Sequence, residues 1–440
     1  MPWLGLDIGT SSICAVVTAD DGKKILTGRT IANDTGLRSI RTFEAIQNPQ
    51  RIWLICETLV RGCLGSVPDI RGIGVTGQMH GLLYLNDRGD AVSPLFTWQD
   101  ESGSEPAGDG QTYAQCLSEL SGYAMASGFG GTTLFVHARQ SMIPEDAAWI
   151  CTIHDYIAMR LCGLPHPVMH SSDAASFGLY DLAKGDFDRT AIDKAGLPQA
   201  LFPTVTGEFD ELGKWQGISV RVAVGDNQAS FLGAAESLEE SVLVNVGTGS
   251  QLSFCTEYLP PEKVAPGAEL RPLRGDRFLY VGSALCGGRA YALLEQFFRH
   301  CAALAAVAAG GNQPEDQRLY AAMDEMLREG PPPAEEIPLV DPRFAGTRRD
   351  PAMRGAIAGL GLHNFTPRHL MWGMMFGMAE ELYGFYADAG VTRTELVGAG
   401  NGLRQNLALR RVVAARFGMP MMIPDFQEEA ARGAAKLCGM

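Results

Sequence analysis

The chain has no apolar run of roughly 18 or more residues, which argues against a transmembrane helix. Its ten cysteines include no Cys-x-x-C pair, and the sequence has no His-Glu-x-x-His, so a structural zinc site has no ligand spacing to rest on. No Ser–His–Asp order points to a hydrolase. Positive charge is scarce, with 36 Lys and Arg against 50 Asp and Glu for a net charge of −14. That balance disfavours non-specific nucleic-acid binding and anionic membrane surfaces. The start, MPWLGLDIG, has no basic region and runs directly into a strand, so no secretory signal is expected there. The scattered cysteines, several inside apolar runs, read as free buried thiols of a cytoplasmic protein.

At 440 residues the chain is too long for one core, and two domains are expected. An internal echo supports this. LGLDIGTSS at residues 4–12 returns as LVNVGTGSQ at residues 243–251. The alignment superposes Gly9 on Gly247, Thr10 on Thr248 and Ser12 on Ser250, and places Asn245 where the first copy has Asp7. Each copy sits between two strand-like runs, which predicts a glycine turn in a β-hairpin, repeated half a chain apart. The boundary is expected near Gly233–Leu238, dividing the chain into domains 1–234 and 235–440.

A single Gly-Thr turn is equally well explained by a tight hairpin that needs positive φ. Two copies favour phosphate, because bare backbone N–H groups and a hydroxyl can close around its oxygens. Asp7 then requires explanation. A carboxylate beside phosphate is repulsive unless a cation lies between them, and Mg²⁺ binds through one or two carboxylates and phosphate oxygens. The turn therefore points to a metal–nucleotide.

Asp226, in VAVGDNQAS, ends a strand predicted over 218–225. Alone it suits a helix N-cap. Beside two phosphate turns it suits a general base acting on a substrate hydroxyl. GAGNG at 398–402 precedes the helix pattern LRQNLALRRVVAARF, so its amides and the helix N-terminus suit the adenosine half of a nucleotide site. GQMHGLLYL (77–85) and FTWQDESG (96–103) follow strands. Their Gln78, His80, Gln99 and Asp100 could hydrogen-bond a polyol, with Trp98 on its carbon face. Residues 369–390 and the positions Leu409, Val412, Val413 and Phe417 carry helical spacing, with Gly418 as C-cap. EEAARGAAKL (428–437) is rich in small residues and suits close packing.

DIGTSS, VGDNQAS, NVGTGSQ, GAGNG and EEAARGAA, in that order, resemble the FGGY family of carbohydrate kinases, and so does GAIAGLGLHNFTPRHLMWGMMFGMAEE (355–381). The resemblance covers essentially the whole chain. It implies an α/β fold of two ribonuclease-H-like (actin/hexokinase-type) domains with a central cleft, and an ATP- and Mg²⁺-dependent sugar kinase that is compatible with a homodimer. It also implies that Asp226 is the catalytic base and that Asp7 holds Mg²⁺ through water. Gly9, Thr10, Ser11, Gly247, Thr248 and Gly249 would hold the ATP phosphates, and Gly398, Gly400 and Asn401 would border adenosine. Gln78, Met79, His80, Trp98, Gln99 and Asp100, with Asp226 and Asn227, would bind the sugar. FTWQD, SGFGGTTLF, TIHDYIAMRLCGLP and the AAS of DAASFG resemble the family's seven-carbon-ketose kinases, which implies sedoheptulose. GQMHG is similar to the xylulokinase-type subgroup, which keeps a pentulose kinase as one alternative, with a non-catalytic sugar-sensing homologue as the other. The family's Lys and Trp are absent from the matching stretch TLFVHARQ, and Gly373 stands where Ala or Ser is usual.

Overall fold

The computed structural model describes residues 2–20, 22–108, 110–308, 317–347, 350 and 352–440. Contacts divide the chain into two compact units. The first comprises Met1–Gly233, Arg271–Phe278 and Phe426–Met440, and the second Ala234–Leu270 and Leu279–Asp425.

In the first unit, β1 (Trp3–Ile8) turns at Gly9–Ser11 into antiparallel β2 (Ser12–Thr18), which pairs with β3 (Ile25–Ala32). Helix α1 (Pro49–Ser66) starts at Asn48, whose side chain accepts the Arg51 N–H, with Pro49 in the first turn. Its Ile52, Cys56, Leu59, Val60 and Cys63 form one buried stripe. Next, β4 (Gly72–Gly77) lies parallel to β1, with all six of its residues buried. Helices α2 (Ile153–Cys162) and α3 (Ser171–Phe177) follow. Then β5 (Ile218–Arg221) and β6 (Val224–Gly225) both pair parallel to β4, and β6 leads directly into α4 (Asp226–Ala234).

The single strand expected over 218–225 is therefore two. Ser219 and Val220 pair with Gly72 and Ile73, whereas Val224 and Gly225 pair with Thr76 and Gly77. The register slips by one residue between these pairs, as at a bulge, and such irregularities re-aim the chain next to functional sites. The Thr76 hydroxyl donates to the Val224 carbonyl at 2.7 Å and pins the second segment.

The second unit repeats the pattern. β7 (Ser241–Val246) turns into antiparallel β8 (Ser250–Glu257), with β9 (Arg277–Ala284) on the far side of β8. Helices α5 (Gly288–Ala308) and α6 (Pro367–Ala389) precede β10 (Glu395–Ala399), which lies parallel to β7. Thr366 caps α6 and Gly390 closes it in a left-handed conformation. Met371, Met374, Met375 and Met378 are buried, so this methionine run fills core. The one helix expected after GAGNG is two: α7 (Asn401–Gln405) and α8 (Leu407–Phe417). Asn406 leaves helical geometry and its side chain accepts the Leu409 N–H, capping α8 in place of continuing the turn. Leu409, Val412, Val413 and Phe417 are buried and Gly418 is the C-cap, as the spacing predicts. The short β11 (Met421–Met422) pairs parallel to β10.

Both sheets thus share one plan: an antiparallel hairpin and third strand, then parallel strands on the other side of the first. Across the sheet the first unit reads β3-β2-β1-β4-β5 and the second β9-β8-β7-β10-β11.

Helix α9 (Glu429–Lys436) packs in the first unit. A Cβ on Gly5 would lie 1.8 Å from the Ala431 carbonyl oxygen, and one on Gly74 1.8 Å from that of Ala434. The helix backbone therefore rests on β1 and β4 through paired small residues. Arg432, 2 % exposed, donates to the carbonyls of Gly22 and Gly233 and lies over the Phe426 ring. All ten cysteines are free, and six of them are buried. No helix among the described residues is long and apolar enough to cross a membrane.

Candidate functional site

In the first unit the hairpin turn is held by side chains. Asn33 Nδ2 donates to the Gly9 carbonyl at 2.8 Å, and Gln47 Nε2 donates to the Thr10 carbonyl at 3.0 Å. The Thr10 hydroxyl donates to Gln78 Oε1 at 3.3 Å and accepts from Trp98 Nε1 at 2.9 Å. Gln78 Nε2 reaches Gln47 Oε1 at 2.9 Å. Gln78 and Trp98, read from the sequence as sugar-pocket residues, thus meet the turn read as a phosphate site. Ser11 is exposed, and its carbonyl accepts the Asn33 N–H. Trp98 is 48 % exposed, so its ring face is open to a ligand. Gln47 and Asn33 were missed in the sequence because neither lies in a motif.

Asp7 sits on β1 between Cys14 of β2 and Thr76 of β4. Burial, with the nearby carboxylates of Asp226 and Glu428, pushes its pKa up to about 8. Asp226 is the first residue of α4, and its Oδ1 accepts from Asn227 Nδ2 at 2.9 Å. Burial raises its pKa, while the Asn227 bond and the charges of His154 and Arg271 oppose the rise. Met79 is buried against Gly225, where a Cβ would lie 2.7 Å from its sulfur, and Asn227 Nδ2 lies 3.5 Å from the same sulfur. Asp7, Met79, Asp226 and Asn227 therefore belong to one locality.

The remaining sugar candidates differ. His80 has φ of 75°, an uncommon conformation for a residue with a side chain. Its Nδ1 is 2.6 Å from the Ser176 carbonyl, its N–H donates to the Ser176 hydroxyl, and its ring stacks on Phe129 at 4.7 Å. Such held strain concentrates at functional sites. Gln99 is exposed. Asp100 is buried, and its Oδ1 accepts both the N–H and the hydroxyl of Ser102, so this carboxylate shapes the loop that carries Trp98. Its Oδ2 has no hydrogen-bond partner among the described residues, and burial raises the pKa of the carboxyl.

In the second unit the turn is held by backbone. Gly247 N–H bonds the Gly249 carbonyl at 2.9 Å. The Gly247 carbonyl accepts from Gly288, and that of Thr248 accepts from Gly287 and Arg289. The turn thus caps the start of α5. A Cβ on Gly249 would meet the Ala284 carbonyl at 2.9 Å. Gly400, with φ of +80°, lies against the same hairpin: a Cβ there would be 2.4 Å from Asn245 Oδ1 and 2.5 Å from the Val246 carbonyl. The turns read from the sequence as phosphate and adenosine sites are therefore neighbours, joined by the parallel pairing of Asn245 with Ala399. Asn401 is exposed at the start of α7. Gly398 is buried, and its missing side chain makes room for Met421 and Ile423.

One further cluster was not legible in the sequence. Among the described residues, His154, Asp155 and Asp173 form the group of potential metal ligands, with their ligand atoms within 4.8 Å of one another and all three side chains buried.

The chain matches the N-terminal domain of the FGGY family of carbohydrate kinases over residues 2–233 and the C-terminal domain of that family over residues 242–440. It belongs to the FGGY family of carbohydrate kinases. A mouse sedoheptulokinase is 28 % identical over 98 % of this chain and 96 % of its own length. The human sedoheptulokinase is 27 % identical with the same coverage. Among solved structures, a xylulose kinase from Rhodospirillum rubrum aligns over 100 % of this chain and 89 % of its own, with a TM-score of 0.81 at 20 % sequence identity. The two-domain α/β kinase fold expected from the motifs is therefore present, and the protein is a carbohydrate kinase.

Proposed function

We propose that this carbohydrate kinase transfers the γ-phosphoryl group of ATP to a primary hydroxyl of a ketose, with sedoheptulose as its substrate and a cytoplasmic place of work. The observation that supports the choice of sugar is identity along the whole chain. The sedoheptulokinases are 27 % and 28 % identical over 98 % of this chain, whereas a Streptomyces coelicolor xylulose kinase is 24 % identical over the same share.

In this reading Asp226 accepts the proton of the attacking hydroxyl, and Asn227 orients its carboxylate. Gln78, Met79, His80, Trp98, Gln99 and Asp100 form or support the sugar pocket, with the Trp98 ring under the carbon face. Gly9, Thr10 and Ser11 form a phosphate turn in the first unit, and Gly247, Thr248 and Gly249 form one in the second. Gly398, Gly400 and Asn401 form the adenosine turn. Rate acceleration comes from positioning and charge neutralisation.

Magnesium fits Asp7. A carboxylate whose ionisation is opposed by Asp226 and Glu428 gains most from a divalent cation, and oxygen donors suit that ion. When bound, Mg²⁺ neutralises phosphate charge.

An assay of ADP release across sedoheptulose, xylulose, ribulose and glycerol tests the proposal. The highest kcat/KM is expected for sedoheptulose. Preference for xylulose would reassign the protein as a pentulose kinase, and ADP release indifferent to every sugar would overturn the reading.

A further inference from the structure

Behind Asp226 lies a group of buried polar side chains to which the proposed mechanism gives no role. The amide of Gly225, the residue before Asp226, donates to the Ser172 hydroxyl oxygen at 3.0 Å. His170 Nδ1 accepts the Ser172 N–H at 3.1 Å, so it is the unprotonated ring nitrogen and also accepts the Ser172 hydroxyl at 2.8 Å, while Asp173 Oδ1 lies 3.2 Å from the same hydroxyl oxygen. His154 Nε2 stands 3.0 Å from the same Asp173 oxygen. His154, His170, Ser172 and Asp173 are all 0 % exposed.

His154 is itself fixed from two sides. Thr152 and Asp155 form a capping box at the start of α2, with the Thr152 hydroxyl 2.6 Å from Asp155 Oδ2, and this sets the turn that carries His154. At the end of β4, a Cβ on Gly77 would lie 3.2 Å from that of His154. The buried group therefore reaches both strand ends that deliver functional residues: Gly77 before Gln78, and Gly225 before Asp226. The bulge between β5 and β6 leaves β6 only two residues long, so ladder pairing alone gives Asp226 little support.

We propose that Ser172 and Asp173, backed by His154, are positioning residues that hold the β6–α4 junction and thereby aim the Asp226 carboxylate. The inference rests on the reading of Asp226 as the general base. A base must lie within hydrogen-bond reach of the proton it takes, and an error of 1 Å in placement can cost about a hundredfold in rate. The Ser172 hydroxyl satisfies the buried Gly225 amide and ties it to the His170 ring beside the Asp173 carboxyl, so loss of this one oxygen frees the junction without opening a large cavity.

Ser172→Ala and Asp173→Asn are the test variants, with MgATP and sedoheptulose as probes. Each is expected to lower kcat about ten- to a hundredfold while KM for ATP stays at its wild-type value. A second measurement needs no substrate. In the free protein, amide exchange of the segment 222–227 should accelerate in Ser172→Ala more than that of the core strands, alongside the modest fall in unfolding midpoint expected from the unpaired Gly225 amide. Wild-type kcat and wild-type exchange in Ser172→Ala would overturn the positioning role. So would a stoichiometric metal in the purified protein that Asp173→Asn loses, because His154, Asp155 and Asp173 would then be ligands. The base reading fails separately, through an Asp226→Ala variant that keeps wild-type turnover. An inactive Asp226→Ala beside a fully active Ser172→Ala removes only the positioning role.

Discussion

The two glycine turns have one sequence pattern and two means of support. The turn at Gly9–Ser11 is braced by side chains from afar: Asn33, Gln47, Gln78 and Trp98. The turn at Gly247–Gly249 is braced by the main chain of Gly287, Gly288 and Arg289. The first strand carries Asp7 where the other carries Asn245, and Asn245 faces the Gly400 turn, not a group of carboxylates. Side-chain bracing couples the first turn to the proposed sugar pocket, so what binds there can be felt at the turn. Backbone bracing holds the second turn through the main chain of its own unit. The duplicated fold thus supplies similar turns in different surroundings, with side chains bracing one and main chain the other.

Changing Asp226 should have the largest effect. It belongs to the first unit, and the second has no counterpart proposed for it. Asp226→Ala is expected to lower turnover by about two orders of magnitude or more, with ATP binding retained in titration calorimetry. Similar losses of turnover and ATP affinity would mean that the residue supports the nucleotide instead.

Asp7→Asn copies Asn245 into the first turn and comes next. Mg²⁺-dependent turnover is expected to fall about tenfold or more, as expected for loss of a carboxylate ligand. Stability gives an independent measure. Asp7 has a folded-state pKa near 8, above the unfolded carboxylate value. Between those two values the folded protein binds the extra proton, so this residue's contribution to stability is lost as pH rises and levels off above about 8. Thermal melts of the metal-free protein should therefore show Asp7→Asn gaining on the wild type from pH 5 to 8. A constant difference across that range would place the Asp7 carboxyl in an ordinary environment.

Gly400→Ala probes the rigid turn. The added Cβ would meet Asn245 Oδ1 and the Val246 carbonyl at a positive φ, a strain of about 1–3 kcal/mol. A lower unfolding midpoint and a higher KM for ATP are expected, with KM for sugar unchanged. Gly9→Ala meets only Ser12 backbone atoms, the carbonyl oxygen at 2.9 Å, and should be milder.

The smallest effect contrasts the two threonines. Thr10→Val removes the hydroxyl shared with Gln78 and Trp98 and should raise KM for both sugar and ATP by a few-fold, about the worth of one hydrogen bond. Thr248→Val should raise KM for ATP alone. Equal effects on the sugar would end the distinction between the two turns.

The sequence alone determined the repeated hairpins, a helix read over 369–390 and found at 367–389, the helical spacing of Leu409, Val412, Val413 and Phe417 with its Gly418 cap, and the family. Each depends on neighbours a few residues apart, where spacing and turn chemistry act directly. It also picked out Gln78 and Trp98, because polar residues at strand ends stand out locally. Only the tertiary structure decided the rest. The split of 218–225 comes from its register against β4, and the close seat of α9 comes from Gly5 and Gly74, more than 350 residues away in the chain. Asp100 and Gly398 stand in motifs that the sequence reads as ligand-binding, and only the structure shows that Asp100 Oδ1 accepts from Ser102 and that the missing Gly398 side chain makes room for Met421 and Ile423. The His154–Asp173 pair belongs to no motif, because a contact between two buried side chains on different helices leaves no periodic trace in the sequence and exists only once the helices have packed.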